Sequence, residues 1–192
     1  MPCVDLSKTA QVFFQQKMAD FLLQTSDVLP LAALPPSSLN VLLELTSEEL
    51  RFLIELLGLH DLAVELNQII DNHKLKKIHA LFSKEKEAFL KMLAHKKEPI
   101  IFKRMEISRW DGKADSLLTS LFQRGLNRLA KALYPEDTDF IWYIKHRMDI
   151  ETAHMFHSLY KKLENPKAYS FLSKQVLEAF SFLRKTNPPT AL

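Results

Sequence analysis

Glycine is nearly missing from this 192-residue chain; only Gly58, Gly112 and Gly125 are present. Glycine supplies positive φ and close backbone approach, so phosphate-cradling loops and tight hairpins are not expected to be common. The one cysteine, Cys3, excludes an intrachain disulfide and any Cys-based zinc site. No run of about 18 apolar residues occurs, so no transmembrane helix is expected. The first residues lack a charged stretch followed by a continuous apolar one, which argues against a signal peptide and makes the cytoplasm the expected location. There is no Gly-x-Ser-x-Gly elbow and no Walker loop, so neither nucleophilic catalysis nor nucleotide hydrolysis has its motif.

What is present is ordinary for a folded domain: 47% hydrophobic and 26% charged residues. The net charge of +3 hides an asymmetry, with a balance of −6 over residues 1–70 and +9 over residues 71–192. Such a separation can orient a chain on a charged partner, although it says nothing about fold.

Residues 1–29 read as an N-terminal amphipathic helix, with Val12, Phe13, Met18, Phe21 and Leu22 near helical spacing. Pro30, Pro35 and Pro36 then mark residues 30–38 as a linker, because proline cannot donate to a helix and holds the preceding residue extended. Residues 39–97 read as a succession of short helices whose first apolar residues, Leu39, Leu50, Leu62 and Leu75, fall 11, 12 and 13 positions apart. Thr46-Ser47-Glu48-Glu49 and Ser83 look like helix starts, and Gly58 falls where a helix C-cap is wanted. Helices this short must stack to be stable, which suggests a right-handed helical array.

Pro99, Ile100, Ile101 and Phe102 open an extended connector over residues 98–112. Residues 113–185 read as a group of longer helices: Lys113–Tyr134, a short aromatic helix capped by Asp137 or Thr138, Asp149–Glu164, and a last helix opening at Pro166. Residues 186–192, with Pro188-Pro189, are a tail. The fold expected is therefore all-α: stacked short helices followed by a longer-helix C-terminal group.

Candidate chemistry is thin. Glu151-x-x-His154 has the spacing of one half of a di-iron site, but a second such pair is absent, and His154 with His157 lacks a third ligand. No catalytic residue, metal or cofactor is expected, and an enzyme is not the expected reading. Residues 73–113 hold 12 Lys or Arg against 5 Asp or Glu, interleaved with Phe102 and Trp110. Nucleic-acid binding through phosphate contacts and aromatic stacking is the alternative this stretch offers. The candidate interface residues are Phe102, Arg104, Trp110, Trp142, Tyr143 and Arg147, because aromatic and arginine side chains anchor protein interfaces.

Residues 34–93 resemble the armadillo-like helical domains of FliG, the flagellar motor switch protein. The likeness lies in Leu50-x-x-Leu53-Ile54, Asp61-Leu62-Ala63, and Lys77-Ile78 leading into Leu81-Phe82-Ser83-Lys84-Glu85. The strings from Arg124 to Leu133 and from Phe140 to Asp149 also look similar to FliG-like proteins of obligate intracellular bacteria that carry type III secretion systems. The resemblance implies a non-enzymatic scaffold or adaptor binding protein partners of a membrane-associated secretion or motor complex. Its place would be the cytoplasm, peripheral to the inner membrane. The Glu-His-Pro-Gln-Arg motif of FliG is absent and the chain is much shorter, so no motor function and no individual binding residue carries over.

Overall fold

The computed structural model describes residues 28–186, apart from Lys97, Ile101 and Lys103. The expected N-terminal amphipathic helix and nearly all of the expected tail lie outside the described residues. Among those described the fold is all-helical and contains no strand. No described helix is long and apolar enough to cross a membrane.

Two 3-10 turns, Leu31–Ala33 and Ser38–Glu44, lie within and just after the proline-rich stretch of residues 30–38. Helix α1 spans Ser47–Leu66. It starts where its polar residues predict: Thr46 accepts from Glu49 N at 3.2 Å while Glu49 accepts from Thr46 N at 2.8 Å, a reciprocal capping box. Asp71 caps α2, Asn72–His79, and Ser83 caps α3, Lys84–Ala94. Among its described residues, the connector that follows holds one 3-10 turn, Ile107–Arg109. Next come α4, Ala114–Ala132, and α5, Thr138–Lys145, the latter capped by Asp137. Asp149 caps α6, which runs Ile150–Leu159 and stops short of the expected Glu164. The last helix, α7, spans Lys167–Thr186 directly after Pro166, whose missing N–H costs nothing at a helix start.

One expectation is corrected here. Gly58 does not end a helix; α1 runs through it, so Leu50–Leu57 and Leu62–Leu66 belong to one 20-residue element rather than to successive short ones. The reason lies across the helix surface. A Cβ on Gly58 would stand 2.1 Å from Leu121 O, and a Cβ on Gly125 would stand 1.8 Å from Ile54 O. The backbones of α1 and α4 therefore touch where they cross, and only glycine fits at those two positions.

This crossed pair is the centre of the molecule. Helices α3 and α7 pack on α1, while α6 and α7 pack on α4, and the Ser38–Glu44 turn lies against α5 and α7. The core between them is chiefly leucine, with Phe89, Phe140 and Phe156 fully enclosed. Full burial of each such side chain contributes about 1.5–3 kcal/mol.

Candidate interaction surface

The connector is held by charge, inside the protein. Arg128 on α4 has no exposed surface. Its guanidinium donates to Asp61 Oδ1 at 2.5 Å, Gln175 Oε1 at 2.7 Å, Glu98 Oε1 at 3.3 Å and Ile100 O at 3.3 Å. It also stands 5.3 Å from the Phe102 ring centroid. Glu98 accepts from Gln175 Nε2 at 2.8 Å, from Ile100 N at 3.1 Å, and from His60 Nδ1 at 3.1 Å. Burial pushes the Glu98 carboxyl up, but the His60 hydrogen bond, the Arg128 charge and Gln175 outweigh it and hold the carboxyl at about 2. His60 is itself shifted down, because burial disfavours its charged form more than Glu98 favours it. Two carboxylates, one arginine and a neutral histidine thus tie α1, α4, α7 and the connector together, with Arg124 reaching Asp61 at 3.3 Å. Every carboxylate oxygen of this cluster faces a donor within the protein, so the cluster clamps the connector to the three helices.

The outer surface offers a different feature. An open hollow of about 260 Å³ between α1, α3 and α4 is lined by Phe82, Leu118, Leu121 and Phe122, under Arg51 and Lys86. Arg51 and Phe122 also line a second hollow of about 190 Å³, which reaches Ile54, Met148 and Thr152. Met148 in turn opens a third, of about 540 Å³, lined by Lys145, His146, Met148, Ile150, Ala153, His154 and His157. Shared residues join the three into one furrow over α1, α4 and the α5–α6 corner. Its floor is apolar, and Leu118 and Ile150 are exposed on it, Ile150 by 78%. Arg51 lies over the Phe122 ring at 5.1 Å, and with Lys86, Glu48, Glu55 and Asp149 it gives the apolar floor a rim of mixed charge.

The six residues singled out from the sequence fall in two places. Trp142, Tyr143 and Arg147 gather at the α5 end of the furrow. Trp142 stacks on His146 at 3.7 Å, and the Tyr143 hydroxyl donates to Leu29 O at 2.9 Å. Arg147 donates to Leu45 O at 2.5 Å and Leu42 O at 3.3 Å, which closes the C-terminus of the Ser38–Glu44 turn. Phe102, Arg104 and Trp110 lie on the connector, where Phe102 packs on Arg128 and the Trp110 indole donates to Lys113 O at 2.9 Å. Several cations of the basic stretch meet carboxylates: Lys86 with Glu55, Lys96 with Glu178, and Arg109 with Glu106.

The furrow residues escaped notice in the sequence because Leu118 and Ile150 share their helical spacing with core positions. Among the described residues no group of three or more His, Cys, Asp or Glu is placed to hold a metal ion. No protein-family model, curated protein or solved structure matches the chain.

Proposed function

We propose that this chain is a non-enzymatic helical adaptor that docks a partner protein in the furrow over α1, α4 and the α5–α6 corner. The observation that carries this reading is the exposed Ile150 at the wide end of an apolar floor that continues through Met148 and Phe122 to Leu118. Exposed apolar residues joined in one concave strip on a monomer mark an interaction site more often than scattered ones do. The crossed α1–α4 pair beneath it supplies the rigid floor that a preformed groove needs. The resemblance of residues 34–93 to FliG helical domains adds the setting: assembly at the cytoplasmic side of a flagellar or type III secretion apparatus.

The test is co-purification from native cells with the wild-type chain and with Ile150→Asp and Leu118→Asp variants. Ile150 is 78% exposed, so its substitution shifts stability by only about 0.5 kcal/mol, while Leu118, 37% exposed, also loses some packing when replaced. The expected result is a defined set of proteins held by the wild type and lost from both variants, with the melting temperature of the Ile150→Asp variant unchanged. Equal recovery with the variants removes the furrow as the docking site, and the absence of any reproducible partner removes the adaptor reading. Partners that belong to neither a flagellar nor a secretion apparatus overturn the setting alone.

A further inference from the structure

The hollows of the furrow differ in charge. Glu55 lines the first, and Glu48 and Asp149 line the second, each beside a cation. The wide hollow at the α5–α6 corner has Lys145, His146, His154 and His157 on its lining and no carboxylate. Among the described residues, Lys145, His154 and His157 meet no carboxylate elsewhere either. The His146 Nδ1 donates to Trp142 O at 2.7 Å, which leaves its Nε2 to face a ligand. The two acids that flank Ile150 in the chain do not fill this gap. Asp149 turns its oxygens to Thr152, accepting from the backbone N and from Oγ1 at 2.8 Å each, and Glu151 stands about 100° round the helix from Ile150.

Spacing on α6 adds a shape to this charge. Ile150, Ala153, His154 and His157 follow at i, i+3, i+4 and i+7, so they share one face, while Thr152 and Phe156 are buried on the other. The shared face is apolar at its start, beside Met148, and carries imidazoles toward its end. Ile150 and His157 stand about 10 Å apart along the axis. A second helix laid along α6 has the same pitch, so a residue seated on Ile150 brings those four and seven positions away over His154 and His157. No strand edge exists among the described residues for an extended peptide to join. Single-stranded nucleic acid is a poorer match, because the floor is aliphatic and no Phe, Tyr or Trp lines the hollow for base stacking.

We propose that the wide hollow selects an acidic amphipathic helix of the partner. One apolar side chain seats on Ile150 and Met148, and Asp or Glu residues four and seven positions along meet His154, His157 and Lys145. The apolar anchor supplies affinity, and the carboxylates set the register and exclude basic helices. This names the chemistry of the partner in the adaptor reading and rests on that reading.

The probe is a library of displayed helical peptides randomised on one face, selected on the full-length chain and counter-selected on its Ile150→Asp variant. Enriched peptides are expected to pair an apolar residue with Asp or Glu four or seven positions away. A synthetic copy of one of them, followed by fluorescence anisotropy, should bind a Lys145→Glu, His154→Glu double variant at least about tenfold more weakly than the wild type. Changing the acids of that peptide to Lys should restore its binding to the double variant, which a misfolded protein could not do. Enrichment of basic or uncharged helices, no enrichment, a double variant that binds the acidic peptide as the wild type does, or displacement of the peptide by a single-stranded oligothymidine each overturns the proposal. Co-purification is read separately: partners lost from Ile150→Asp keep the furrow as a docking site even where no acidic helix is selected.

Discussion

Arg128 is fully buried and faces two carboxylates, so its contribution to stability depends on what is left behind when it goes. An Arg128→Leu variant strands Asp61 and Glu98 in the interior without their main counter-charge, and a loss of about 3–5 kcal/mol is expected in urea unfolding. A loss under 1 kcal/mol would show that water reaches the cluster and screens it. The same group of residues makes the protein acid-sensitive in two steps. His60 has a folded pKa below its ordinary 6.5, so the unfolded chain takes up more protons and stability begins to fall as the pH drops below that value. Glu98 is held at about 2 against an ordinary 4.5, so its contribution is complete above 4.5 and is lost as the pH falls toward 2. That second step is worth about 3 kcal/mol at 1.36 kcal/mol per unit. Urea midpoints measured from pH 7.5 to pH 3 are expected to fall in both windows, and a His60→Leu variant should lose the first and shrink the second, because the His60 hydrogen bond is one of the contacts that hold Glu98 down. A flat profile above pH 5 in the wild type would contradict the assignment to His60. None of this cluster was legible in the chain, because the side chains that Arg128 and Glu98 bind stand 30 to 77 positions from them and single charged residues read as solvated surface.

At the scale of the helix, the decisive residues are the two glycines at the α1–α4 crossing. In an exposed helix interior Gly→Ala gains about 1 kcal/mol in propensity. Here the new methyl would meet backbone, 2.1 Å from Leu121 O at Gly58 and 1.8 Å from Ile54 O at Gly125, and neither neighbour can rotate away. Overpacking of this kind costs about 1–3 kcal/mol or more. Gly58→Ala and Gly125→Ala should each therefore lower the thermal midpoint despite better local propensity, and a rise in either would refute the close crossing. Helix starts were readable in advance, since Thr46, Ser83, Asp137 and Asp149 have the chemistry of caps and use it. Pro166 marked the start of α7 for the same local reason. The fate of Gly58 was not readable: a C-cap glycine and a crossing glycine look alike until the partner backbone, more than 60 residues away in α4, is in place. The Thr46 cap itself is open to measurement, and Thr46→Ala is expected to cost about 1 kcal/mol through the loss of the bond from Glu49 N to the Thr46 hydroxyl.

Over the whole molecule, the charge asymmetry seen along the chain is partly spent inside the fold. Glu49 meets Arg184 at 2.7 Å, Glu55 meets Lys86 at 2.9 Å, and Asp61 meets Arg124 and Arg128, so acidic α1 is held by basic residues of α3, α4 and α7. The helices are not equally bound into this arrangement. Along α1, twelve residues from Leu50 to Glu65 are buried, and α4 is enclosed from Leu117 to Ala132 along one side. In α2 only Ile78 is buried, and Ile70 just before it is 95% exposed. Local opening free energies run from near zero in such weakly buried pieces up to the global value in the core. The free energy needed to undock α2 is that of one isoleucine and a few partial contacts, about 2–3 kcal/mol, far below that of separating α1 from α4. Native-state hydrogen exchange should therefore show the amides of residues 76–79 exchanging at least about 100-fold faster than those of residues 53–62 and 121–129, a gap of some 2.7 kcal/mol or more. Equal protection would mean that α2 unfolds only with the whole domain, and that burial of single side chains understates its attachment. The α1–α4 pair is the most deeply buried part of the fold, so the furrow floor over α1 and α4 keeps its shape when α2 opens.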